Sequence, residues 1–180
     1  MRYLANESRD PRLDEVVMAL CAEMLVASGL ESARDAARSR ADAALTSGKA
    51  AEVFERMVVG LGGPPDFVTG HEQHLPVASL QRAVYPDTSG FLSTVDAFRL
   101  GQAVIGLGGG RRKLGDTLNL AVGLAEVAPI GARVDHERPL AVVHANSVPA
   151  AKKAAALVLE ACEISDSEPA TGDVIHDLLN

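Results

Sequence analysis

Gly60–Asp66 reads GLGGPPD. Three glycines and two prolines within seven positions forbid regular structure there. The residue pattern differs on its two sides, so the expected organisation is a helical segment over 1–62, a linker over 63–76 and a C-terminal α+β subdomain over 77–180. Expected helices followed by strands folded around further helices give an α+β fold class.

Upstream of this break the pattern is helical. Asp10 is a good N-cap and Pro11 suits the first helical position. Leu13, Val16, Val17, Leu20, Met24 and Leu25 recur at the spacing of one buried helix face, and Gly29 fits as the left-handed residue that ends it. Ser32 with Asp35 resembles a capping box for a second helix. That helix offers mostly Ala33, Ala37, Ala41, Ala44 and Leu45, a thin face that needs a close neighbour. After Ser47–Gly48 a third helix carries Ala50, Val53, Phe54, Met57 and Val58.

Downstream, Val77–Tyr85 and Gly90–Val95 read as strands flanking a turn at Pro86–Ser89. Asp96 can cap a helix to about Leu107. Leu118, Leu120, Val122 and Leu124 alternate as in a half-buried strand. Pro129–Gly131 is a turn, and Leu140–Ala145 is a continuous apolar run suited to a buried strand. Ser147 can cap a helix over Ala150–Cys162, and Val174–Leu179 can add a terminal strand. No solenoid-type repeat occurs.

Composition narrows the function classes. The net charge of −7 and the pI near 5.2 argue against a surface that coats nucleic acid. Aromatic residues make up 3% with no Trp, which argues against a base-stacking platform. The apolar run Val16–Ala22 is broken by Glu23 and is too short to span a bilayer, and Arg2 and Tyr3 lead directly into a polar stretch, so neither a membrane partner nor a secretory leader is expected. Cys21 and Cys162 lie far apart inside apolar patterns and read as buried thiols of a cytosolic protein; the expected localisation is cytoplasmic.

The conspicuous chemical candidate is Gly108, Gly109 and Gly110 followed by Arg111, Arg112 and Lys113. Glycine-rich backbone can wrap an anion and the cations would assist. Phosphate loops, however, precede a helix and use its positive end, whereas these glycines follow one and lack a GK[ST] ending. A helix stop and an anion-facing loop both stay open. His71, Glu72 and His74 lack the four-residue His spacing of helical zinc sites and read as loop residues, so no metal is expected. His136, His144 and His176 have no nucleophile motif near them; His144 reads as a hydrogen-bonded strand residue. Asp135–Arg138 reads as a solvated turn, and Lys152 and Lys153 as the wet face of a helix. The rhythm of Val127, Gly131, Val134 and Pro139–Ala145 resembles biotinyl and lipoyl carrier domains, but Asn146–Ser147 stands where those domains carry their modifiable Lys.

Arg9–Leu13 (RDPRL), Val17–Leu25 (VMALCAEML), Gly48–Met57 (GKAAEVFERM), Gly108–Arg112 (GGGRR) and Arg138–Ala145 (RPLAVVHA), in this order and spacing, resemble the C-terminal part of the bacterial thymidine phosphorylases of the pyrimidine nucleoside phosphorylase family. The resemblance runs from about Tyr3 to Ala161. It implies a pentosyltransferase of pyrimidine salvage that cleaves thymidine with phosphate as co-substrate, without a cofactor, and acts as a homodimer. It also implies a hammerhead-type C-terminal subdomain. The family's phosphate loop of the form KxSTGGxGD does not occur in this sequence, and neither do its SGRG-type signature or its pyrimidine-holding residues. The resemblance therefore assigns no catalytic residue to this chain. It implies that the chain's partner is the N-terminal part of the same enzyme, that the chain alone is inactive, and that Gly108–Arg112 is the segment able to face the cleft. A non-catalytic binding or assembly module of the same fold is the alternative.

Overall fold

A computed structural model describes residues 1–175. It divides into two compact units, one of Met1–His74 with the segment from Gly172 and one of Leu75–Thr171.

The first unit is helical. Helix α1, Pro11–Ala27, starts where Asp10 accepts a hydrogen bond from the Leu13 N–H. It ends ahead of Gly29, whose φ of +72° lets the chain turn back. Helix α2 spans Arg34–Thr46 and α3 spans Lys49–Gly60. The Ser32–Asp35 capping box does not form: Ala33 occupies the N-cap without a side-chain hydrogen bond. Leu13, Leu20 and Met24 were expected inward but stand 48%, 60% and 66% exposed. Helix α1 packs chiefly on α2, so only the strip through Met18 and Ala22 is fully covered.

The stretch expected as a linker contains helix α4, Phe67–His74. Two contacts with α3 explain it. Phe54 and Phe67 pack with ring centroids 6.2 Å apart, and Glu55 accepts a hydrogen bond from the Val68 N–H at 3.1 Å. Tertiary packing thus outweighs the helix-breaking local composition.

The second unit is α+β. Strands β1 (Leu80–Val84) and β2 (Gly90–Val95) are followed by helix α5 (Ala97–Leu107), capped by Asp96. Three short strands come next: β3 (Gly123–Ala125), β4 (Arg133–Val134) and β5 (Ala141–Ala145). Helix α6 (Val148–Ala161), capped by Ser147, leads directly into β6 (Cys162–Ser165). Although β1 and β2 flank the expected turn, they do not form a hairpin. One antiparallel sheet has the order β1-β5-β3 and the other β4-β2-β6. Strand β5 is central because its alternating Ala141, Val143 and Ala145 are fully buried. Helix α6 presents Ala151, Ala154, Ala155, Val158 and Ala161 to the core at helical spacing. Leu92, Val134 and Leu140 complete the same cluster. The alternation from Leu118 to Leu124 yields strand only at β3, and Leu120 is exposed. Cys162, read from sequence as the end of a helix, begins β6. In the terminal strand expected over Val174–Leu179, Val174 and Ile175 are not in strand and the rest lies outside the described residues, as does His176.

Candidate functional site

Helix α5 stops at Gly108, whose φ of +95° places it in the left-handed region. The Gly108 N–H donates to the Ile105 carbonyl and the Gly109 N–H to the Val104 carbonyl. The chain then folds tightly back onto its own helix. A Cβ at Gly110 would lie 2.6 Å from Ile105 Cγ1, and one at Gly109 would lie 3.2 Å from the Val122 carbonyl oxygen. Gly108 is therefore favoured by the turn and Gly110 by close approach, while Gly109 sits in a tight but less exacting fit.

The following loop is tied down. The Asp116 carboxylate accepts the backbone N–H groups of Arg112 and Lys113 at 3.0 and 3.1 Å. The Asn119 N–H donates to the Gly108 carbonyl at 2.9 Å. Arg111, Arg112 and Lys113 have exposed side chains on this fixed frame. Arg112 lines a groove of about 420 Å³ between α5 and α6, together with Gln102, Gly106 and Lys153. Neither Arg112 nor Lys153 has an ion-pair partner among the described residues. Small residues set the width of this groove, Ala103 and Gly106 on α5 and Ala150 and Ala154 on α6. Arg99 bridges the same two helices by pairing with Glu160 at 3.0 Å.

The other sequence candidates are dispersed. His71 and His74 lie on α4 rather than in a loop. His71 Nδ1 is 3.2 Å from the Val68 carbonyl oxygen, and His74 Nε2 is 2.8 Å from Asp66 Oδ1. Among the described residues no group of three or more His, Cys, Asp or Glu could hold a metal ion. His144 is half-buried in β5 opposite Gln81 and Gly123. It was expected to be hydrogen-bonded, yet its side chain has no hydrogen bond among the described residues. Burial pushes the Cys162 thiol up from its ordinary value, so it stays a thiol rather than a nucleophilic thiolate.

Asp135–Arg138 is more than a solvated turn. Asp135 is 8% exposed. Its carboxylate accepts the backbone N–H groups of Glu137 and Arg138, both at 2.9 Å, and pairs with the Arg138 guanidinium. That guanidinium first, and the two backbone donors with it, hold the carboxyl well below the usual carboxylate range despite partial desolvation. The spacing Asp-x-x-Arg was the available signal, since an Asx turn followed by a cation three residues on can close this ring. The groove gave no sequence signal, because Lys153 and Arg112 are brought together only by the packing of α5 on α6.

The arrangement can neutralise an anion, and among the described residues the groove lining contains no Ser, Cys, His, Asp or Glu. A family model described as the pyrimidine nucleoside phosphorylase C-terminal domain matches residues 91–165. The matched segment runs from β2 through β6 and includes the glycine loop and both groove helices. The resemblance to the C-terminal part of that family is thereby shown for this segment.

Proposed function

We propose that the chain is the C-terminal portion of a pyrimidine nucleoside phosphorylase acting on thymidine, which gives thymine and 2-deoxyribose 1-phosphate in the cytoplasm. The observation that carries the reading is the family match across 91–165. Phosphorolysis needs a positioned phosphate nucleophile, cationic stabilisation of it and of the departing base, and donors that select the pyrimidine. The segments expected to supply these, above all KxSTGGxGD, are not in this sequence. The chain by itself therefore carries out no phosphorolysis and functions joined to, or paired with, an N-terminal portion. In that assembly the Gly108–Arg112 loop faces the cleft on its already fixed backbone, and its side chains act from outside the reacting groups.

The experiment is to incubate the purified chain with thymidine and phosphate, alone and after co-expression with a polypeptide bearing the KxSTGGxGD segment. The expected result is thymine release only in the second case. Release by the chain alone overturns the proposed division of labour. Arg111→Ala with Arg112→Ala in the joined enzyme is expected to lower the rate, and an unchanged rate and phosphate dependence dispose of the loop's role.

A further inference from the structure

We propose that the groove between α5 and α6 is a binding site for a small phosphomonoester, with Arg112 and Lys153 holding the phosphate and the helix surfaces holding an apolar body. The charge argument comes first. Among the described residues no Asp or Glu lines the groove, yet two cations do, in a chain whose net charge is −7. Two unpaired like charges on one cavity repel each other, and an anion between them reverses the sign of the interaction. The Arg fork and the Lys point charge suit phosphate oxygens in complementary ways. A phosphomonoester carries close to two negative charges at neutral pH and matches both cations; a carboxylate carries one.

The loop is built so that Arg112 can serve. Gly110, which has no Cβ, lets the chain fold back closely against Ile105 of α5. Asp116 consumes the backbone donors of Arg112 and Lys113 and leaves the guanidinium free. The N-terminus of α6 contributes little to the grip, because Pro149 has no N–H and the Ala150 and Ala151 donors are already taken by Ser147. The charge recognition therefore rests on the two side chains. The cavity of about 420 Å³ exceeds what a bare phosphate occupies. Ile105, Leu157 and the alanines give the remainder an apolar floor suited to a flat carbon skeleton. This inference is independent of whether the chain takes part in phosphorolysis.

The test is a titration of the 180-residue chain with phenyl phosphate, inorganic phosphate and benzoate, followed by amide chemical shifts. Phenyl phosphate is expected to saturate with shifts at Gly106, Arg112 and Lys153, at least about fivefold tighter than either other probe. Arg112→Ala and Lys153→Ala should each weaken it about tenfold, whereas Arg111→Ala and Lys113→Ala should not. Gly106→Leu gives an arm independent of charge: a Cβ there meets nothing within 4 Å, so the helix is kept while the groove fills and phenyl phosphate binding is lost. Absence of saturation, equal weakening by the Arg111 and Lys113 variants, or binding that survives in the Arg112→Ala, Lys153→Ala double variant overturns the site. Inorganic phosphate binding as tightly as phenyl phosphate overturns the organic body and marks a bare oxyanion site.

Discussion

At the scale of single residues, two polar clusters make pH a structural variable. Asp135 has a depressed folded pKa because Arg138 and two backbone donors favour its charged form. Its contribution is fully present above the unfolded value near 4, and it is lost as pH falls through the lower folded value. Asp135→Asn is therefore expected to melt at lower temperature at pH 7 and to show a shallower loss of stability on acidification. Melting curves from pH 7 down to pH 2 check both. Tyr3 behaves in the opposite sense. Its hydroxyl donates to Asp14 Oδ1 at 2.7 Å, and burial, reinforced by that hydrogen bond, pushes its pKa up to about 12. The neutral phenol is the stabilising form, so this contribution is present below the unfolded value near 10 and fades as pH rises through about 12. Ultraviolet titration should show a tyrosinate step near pH 12 that disappears in Tyr3→Phe.

At the scale of elements, the helix starts test the capping argument. Asp10→Ala removes an acceptor for the Leu13 N–H and is expected to cost about 1 kcal/mol, read by urea unfolding. A different constraint governs β2, where a Cβ at Gly90 would lie 2.5 Å from the Ser165 carbonyl oxygen of β6. Backbone cannot yield as a flexible side chain can, so Gly90→Ala is expected to destabilise by about 1–3 kcal/mol through strain. Amide exchange in β6 should accelerate with it. These two sites also show which parts of the fold were legible. The Asp10, Asp96 and Ser147 caps could be read directly, because capping is a contact across three residues. The continuous apolar run Leu140–Ala145 that becomes β5 was legible for the same local reason. The pairing of β1 with β5 and of β2 with β6 was not, since it joins segments about 60 to 70 positions apart in sequence and no local pattern encodes it. Helix α4 was hidden because Pro and Gly around it speak against a helix, while its support comes from Phe54 and Glu55 on α3. The loop Gly108–Lys113 was visible as composition, but the groove it serves depends on the approach of α5 and α6.

At the scale of the whole molecule, the first unit leaves an apolar surface uncovered. Leu13, Leu20, Met24 and Leu30 are each roughly half exposed or more, and Val53, Met57 and Leu61 on or just after α3 join them. A groove of about 550 Å³ lined by Val17, Met24, Leu25, Leu30 and Ala44 lies on the same unit. Single exposed apolar residues need no explanation, but a helix that turns several of its largest apolar side chains outward does. Burying each such side chain is worth about 1.5–3 kcal/mol. The chain is therefore expected to self-associate, with a weight-average mass in sedimentation that exceeds 18.8 kDa and rises with concentration. Leu20→Glu combined with Met24→Glu should return it to the monomer mass with helix content intact, because neither side chain is in the buried strip of Met18 and Ala22. If the proposed N-terminal portion covers this same face, its co-expression should suppress self-association, and the double variant should weaken capture of that portion as well. A monomer at high concentration would show that the face is tolerated wet. Self-association unaffected by Leu20→Glu with Met24→Glu would move the contact to the second unit, where Phe98, Leu114 and Leu120 are the exposed alternatives.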